Sequence, residues 1–112
     1  MAAQPRALTR ASLAEGAREL ARRDPDLAAL YRRNGIPPMW ARRPGFPTLV
    51  HIVLEQQVSI AAARTLFRRV SAALGGMTPE LVLECGVPGL HGLGITRQKA
   101  SYCHALALAV LD

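Results

Sequence analysis

The chain has 112 residues, of which 50% are hydrophobic and 4% aromatic, enough for one small domain (1–112) with a modest core rich in Ala and Leu. No apolar run approaches a membrane span and the N-terminus lacks a signal-peptide core, which argues against a membrane or secreted class and for the cytoplasm; Cys85 and Cys103 are too few for a disulfide framework and are expected as free thiols. The net charge of +6, from 14 basic and 8 acidic residues, favours a polyanionic partner, nucleic acid first, although all but one of the basic residues are Arg and a compositional habit would give the same balance.

Residues 1–8 read as a flexible lead-in. Ser12 and Glu15 fit a capping box, and Leu13, Ala17, Leu20 and Ala21 form a helical stripe that runs to Arg23. Asp24-Pro25 is a stop and a restart, with Asp as N-cap and Pro in the first turn, and Leu27, Leu30 and Tyr31 carry a second helix to Gly35. Three prolines and a glycine make Ile36–Gly45 an ordered connection rather than a regular element. Trp40 within it is expected to plug the core, and Arg42 and Arg43 either touch phosphate or stand in solvent.

Phe46, Val50 and Val53 repeat at helical spacing, with Leu49 and Leu54 beside them, and Gln57 falls on the next step of that stripe. Ser59 is a good N-cap for a following helix whose stripe is Ile60, Ala63, Phe67, Val70 and Leu74, closed by Gly75. The stretch reads as helix, tight turn, helix, with polar amides at an outward corner. Thr78-Pro79-Glu80 opens a short helix that stops near Gly86, Val87–Gly94 is a turn, and Thr96 caps a last helix over Arg97–Leu111. The result is an all-α chain of about six helices without strand signal, repeat or low-complexity segment. Ala105–Leu111 is apolar almost all round and reads as buried on several sides, so the sequence looks cut short or its last helix is covered by a partner chain.

On residue chemistry alone, Gln56 and Gln57 either cap a helix end or carry a role. Cys85, His91, Cys103 and His104 lack metal-pair spacing, so no metal site and no cofactor are expected. His51 reads as a satisfied core histidine. Arg64, Arg68 and Arg69 lie off the apolar stripe and face either solvent or phosphate.

Four stretches, Asp24–Phe46, Leu49–Val70, Met77–Glu84 and Leu90–Tyr102, occur in an order and spacing that resemble the helix-hairpin-helix (HhH-GPD) glycosylase superfamily, specifically its 3-methyladenine DNA glycosylase II branch. The matching series is Gly-Phe, Gln-Gln-Val-Ser, Thr-Pro-Glu and Gly-Ile-Thr-Arg-Gln-Lys-Ala. The resemblance implies an all-α fold with a cleft between helical subdomains. It also implies a base-excision repair protein that binds duplex DNA with a damaged base, flips that base and cuts its N-glycosidic bond. In the family a side chain at the Gln-Gln-Val-Ser corner fills the vacated stack; the matching residue is Gln57, with Gln56 beside it. A planar amide suits that wedge, because it slides between base pairs and offers both a donor and an acceptor.

Ser59, Arg64, Arg97 and Lys99 are candidate phosphate contacts, the last two beside the amides of the Leu90–Gly94 turn, which precedes the family's own hairpin; a plain Gly-rich turn with solvated charges is the other reading. The family's later hairpin and catalytic Asp have no match after Leu111, and no carboxylate of this chain, Asp112 included, takes that role, so no catalytic residue is assigned. Three functions remain open. The chain is the N-terminal part of a glycosylase for alkylated purines that awaits its catalytic half, a non-catalytic duplex-DNA-binding module, or a protein-interaction unit that docks through Ala105–Leu111.

Overall fold

The computed structural model describes residues 4–112. It contains α1 (Arg10–Arg23), α2 (Pro25–Asn34), α3 (Phe46–Glu55), α4 (Ile60–Leu74), α5 (Pro79–Gly92) and α6 (Arg97–Leu111), and the described residues include no strand. The all-α expectation holds. Part of the lead-in expected over 1–8 lies outside the described residues, and Gln4–Thr9 carries no regular element. The chain divides into two compact units, one ending at Ala41 and the other spanning Arg42–Asp112.

In the first unit α1 and α2 pack against each other as a helical hairpin. Asp24 makes the joint: its N–H donates to the Leu20 carbonyl at the end of α1, and its carboxylate accepts from the N–H groups of Asp26 and Leu27 at the start of α2. The start of α1 differs from expectation. Thr9, not Ser12, is the N-cap, and Ser12 stands at the third helical position. The two hydroxyl groups exchange bonds with each other's backbone, Ser12 N–H to Thr9 Oγ1 at 3.0 Å and Thr9 N–H to Ser12 Oγ at 2.8 Å. Ser12 thus does the work expected of Glu15, one turn earlier. No residue of α1 or α2 is buried. Trp40 is 86% exposed, so it does not plug a core as the sequence suggested. The prolines on its N-terminal side keep the segment out of regular structure, and a side chain on such a strap need not face inward.

The second unit holds the core. Phe46, Val50 and Leu54 of α3 meet Ala63 and Val70 of α4, Val82 and Leu90 of α5, and a row of small residues on α6, namely Ala100, Cys103 and Ala107. Small side chains let α6 lie close to α5, with which it makes the most extensive helix contact. Burial pushes the Cys103 thiol up to about 11, so it stays protonated and inert. Gly75 closes α4 in the left-handed conformation, φ 78° and ψ 20°, as its position implied.

Two expectations change in this unit. The helix that opens at Pro79 does break at Gly86 (φ 72°), but the chain is helical again from Val87 to Gly92 instead of forming a turn. Pro88 permits this, because it stands in the first turn of the resumed segment, where no N–H is required. The apolar end of α6 buries Ala107 and rests Leu106 partly against the core, while Leu108, Val110 and Leu111 are about half exposed. Among the described residues no helix is long and apolar enough to cross a membrane.

Leu54 is 0% exposed and ends α3 from inside the core. Leu54→Ala should lower unfolding free energy by about 2–5 kcal/mol, against less than about 0.5 kcal/mol for Leu108→Ala on the exposed side, when both are followed by urea titration.

Candidate nucleic-acid interface

α3 stops at Glu55 and α4 begins at Ile60, so only four residues turn the chain. Gln56 has φ −62° and ψ 121°, Gln57 has φ 60°, and the Val58 N–H donates to the Glu55 carbonyl at 3.4 Å. This is a type II turn with Gln57 at its third position, which ordinarily takes Gly or Asn because φ is positive there. Gln57 is the single non-glycine residue with positive φ among those described. Both glutamines are exposed, as are Val58 and Ile60 beside them. Ser59 ends the turn: its Oγ accepts the Ala62 N–H at 3.1 Å, so the hydroxyl serves as the α4 N-cap.

The last carbonyls of α3 have no partner within the helix. The Val53 carbonyl takes the Gln56 N–H at 3.3 Å, and the Leu54 carbonyl takes the Lys99 Nζ of α6 at 3.0 Å. Lys99 lies at the third position of α6, its own N–H donating to Thr96 Oγ1. That bond brings the start of α6 beside the end of α3.

Glu55 sits between Arg42 and His51. Arg42 Nη2 donates to its Oε2 at 2.8 Å, while His51 Nε2 faces its Oε1 at 3.4 Å. The Arg42 bond holds the Glu55 carboxyl below the usual carboxylate range; partial burial opposes this, and the charges of Arg42, His51 and Arg64 add to it. Arg42 is raised in turn by the same bond. His51 departs from the satisfied core histidine expected of it. It is half-buried and its ring stacks on Phe67 with centroids 4.8 Å apart, yet Nε2 and Glu55 Oε1 face each other outside hydrogen-bond geometry and neither has another partner.

The turn after α5 uses its own amides. Leu93, Gly94 and Ile95 N–H groups donate to the carbonyls of Gly89, His91 and Leu90. Those three are therefore engaged within the chain, which folds back on α5 there, as in the plain Gly-rich turn that was one of the two readings. Arg97, the first residue of α6, and Arg64, one turn into α4, are exposed. Among the described residues no group of three His, Cys, Asp or Glu could hold a metal ion.

The family model for the HhH-GPD superfamily base excision DNA repair protein matches residues 50–111, more than half of the chain. The chain belongs to the HhH-GPD superfamily. The matched region covers α4 to α6 and most of α3, and so includes Gln56, Gln57, Ser59, Arg64, Arg97 and Lys99. Among solved structures, this HhH-GPD chain is similar to a 3-methyladenine DNA glycosylase from Archaeoglobus fulgidus, with a TM-score of 0.61 and 22% identity over 83% of this chain and 37% of that one. The likeness is one of fold, and the chain spans little more than a third of that protein's length. No curated protein sequence matches it.

Two contacts of the HhH-GPD corner escape sequence reading. Arg42 meets Glu55 across 13 positions, and Lys99 meets Leu54 across 45. Neither follows a helical spacing; the one clue was that Glu55 ends a helix whose last turn carries no basic residue. Because the folded Glu55 carboxyl is lowered, its pairing stabilises the fold above the ordinary carboxylate range and is lost as pH falls through it. Thermal melts should therefore find Glu55→Gln less stable than wild type at pH 7. The gap should close below about pH 4 and shrink in high salt.

Proposed function

We propose that this chain is the DNA-gripping part of a base-excision repair glycosylase for alkylated bases, with Gln57 as the side chain that fills the stack when a damaged base is flipped out. The observation that carries the reading is the exposed Gln57 held at φ 60° on a type II turn. A non-glycine residue in that region is strained by about 1–3 kcal/mol, and such strain gathers where a side chain has work to do. A Gly would make the same turn without strain, so the amide is what the site keeps.

Flipping leaves a gap that costs a few kcal/mol of stacking and pairing. An unbranched amide on an outward turn reaches such a gap, and its oxygen and nitrogen can pair with the orphaned base. Gln56 supports it from the preceding position. Ser59, Arg64 and Arg97 flank the corner as phosphate contacts, which agrees with the net charge of +6. The partner is duplex DNA with a damaged base, met in the cytoplasm. The lesion class is taken from the 3-methyladenine glycosylase fold neighbour.

Excision needs a carboxylate to steady the cationic sugar and to activate water. Near the corner the available carboxylate is Glu55, and Arg42 holds it as a neutralised pair. The 112-residue chain by itself is therefore expected to bind and distort DNA without releasing a base.

Three variants test this against a duplex with an abasic site and an intact duplex of the same sequence. Wild type should prefer the abasic duplex, and Gln57→Ala should lose that preference by about fivefold or more, ~1 kcal/mol. Gln57→Gly should lose it equally while melting no lower than wild type, since the left-handed strain goes. Gln56→Ala should have the smaller effect. Equal preference in wild type and Gln57→Ala would sink the wedge assignment, and release of 3-methyladenine by the chain alone would overturn its non-catalytic role.

A further inference from the structure

We infer that Lys99 is a positioning residue for the Gln56–Gln57 corner, acting through the Leu54 carbonyl rather than on a phosphate; this rests on the wedge role given to Gln57. The Leu54 carbonyl lies two residues before Gln56, and the 3.0 Å bond from Lys99 Nζ is its partner at the open end of α3. α3 needs such a cation. Its last turn carries no basic residue and ends in Glu55, a negative charge at the negative end of the helix dipole. Arg42 neutralises the carboxylate, and Lys99 meets the backbone end itself.

Both ends of the link are anchored. Leu54 and Ala100, which follows Lys99, are each 0% exposed, and the Lys99 N–H is fixed on Thr96 Oγ1. The Lys99 side chain is half-buried, unlike the exposed Arg97 two residues earlier. A charge-assisted bond in that setting is stronger than one in open water. Lys99 is also the one lysine among 14 basic residues. A compact ammonium suits a single carbonyl, where a planar guanidinium is shaped for two acceptors. A left-handed Gln57 persists only if its surroundings hold the turn, and the capped end of α3 is what the turn hangs from.

The test compares Lys99→Met, Lys99→Arg and Gln57→Ala in the full chain by two measurements. The first is amide hydrogen exchange at Val58 in free protein, because its N–H closes the turn. Lys99→Met should speed that exchange by about tenfold while core amides such as Val82 and Leu90 stay protected, and Lys99→Arg should restore most of the protection. The second is binding to abasic and intact duplexes over a range of salt. Lys99→Met should lower the abasic preference by roughly threefold or more with an unchanged salt slope.

A phosphate contact would instead weaken both duplexes equally and cut the slope by about one, and that result would overturn the inference. Unchanged Val58 exchange would overturn it as well. Loss of preference in Gln57→Ala but not in Lys99→Met removes the Lys99 role alone. No loss in either removes the wedge reading, and Val58 exchange then still decides whether Lys99 holds the turn. Should Lys99→Met open the core amides too, Lys99→Gln replaces it and the same outcomes decide.

Discussion

Stopping α3 cleanly is the constraint on which the second unit depends. A helix that ran past Glu55 would carry the glutamines around its axis and leave α4 no route back across the core. The stop is made without a glycine or a proline at the corner. Leu54 is pinned by its side chain inside and by its carbonyl to another helix, so the peptide after it has little freedom. Two weak backbone bonds at 3.3 and 3.4 Å then complete the turn. Tertiary anchoring outranks local turn propensity here, which is why an unfavourable residue is tolerated at its third position.

Charge at the same corner follows from that stop. A glutamate closing a helix opposes the helix dipole, and an anion there would also repel an approaching phosphate backbone. Both problems are relieved by cations from outside the helix: Arg42 from the strap before it, Lys99 from α6, and Arg64 at a greater distance. The corner thus draws on separate stretches of chain, and its electrostatics cannot exist until the unit has folded.

Local patterns were legible in the sequence; what depends on long-range contact was not. Asp24-Pro25, Ser59, Gly75, Thr78 and Thr96 marked helix ends because caps act over two or three residues, and all of them hold. The corner was visible because two amides interrupt an apolar stripe. Its left-handed geometry was not, since Gln rarely adopts it. Thr9 was overlooked because a serine at the third helical position can replace the expected glutamate. The helical segment after Gly86 was hidden by Pro88 and Gly89, which read as turn residues when their place in a first turn is unknown. Trp40 misled for another reason: a large apolar side chain is ordinarily inside, and nothing in the strap's sequence reports which way it faces.

The backbone at Gln57 also filters what mutation can try there. Branching at Cβ is disfavoured at positive φ, so Val, Ile and Thr are screened out before any partner is met. Gly, Asn and unbranched longer side chains remain. Whatever repertoire this corner samples over generations is accordingly narrow and unbranched at Cβ, set by the backbone of the turn before anything the side chain meets.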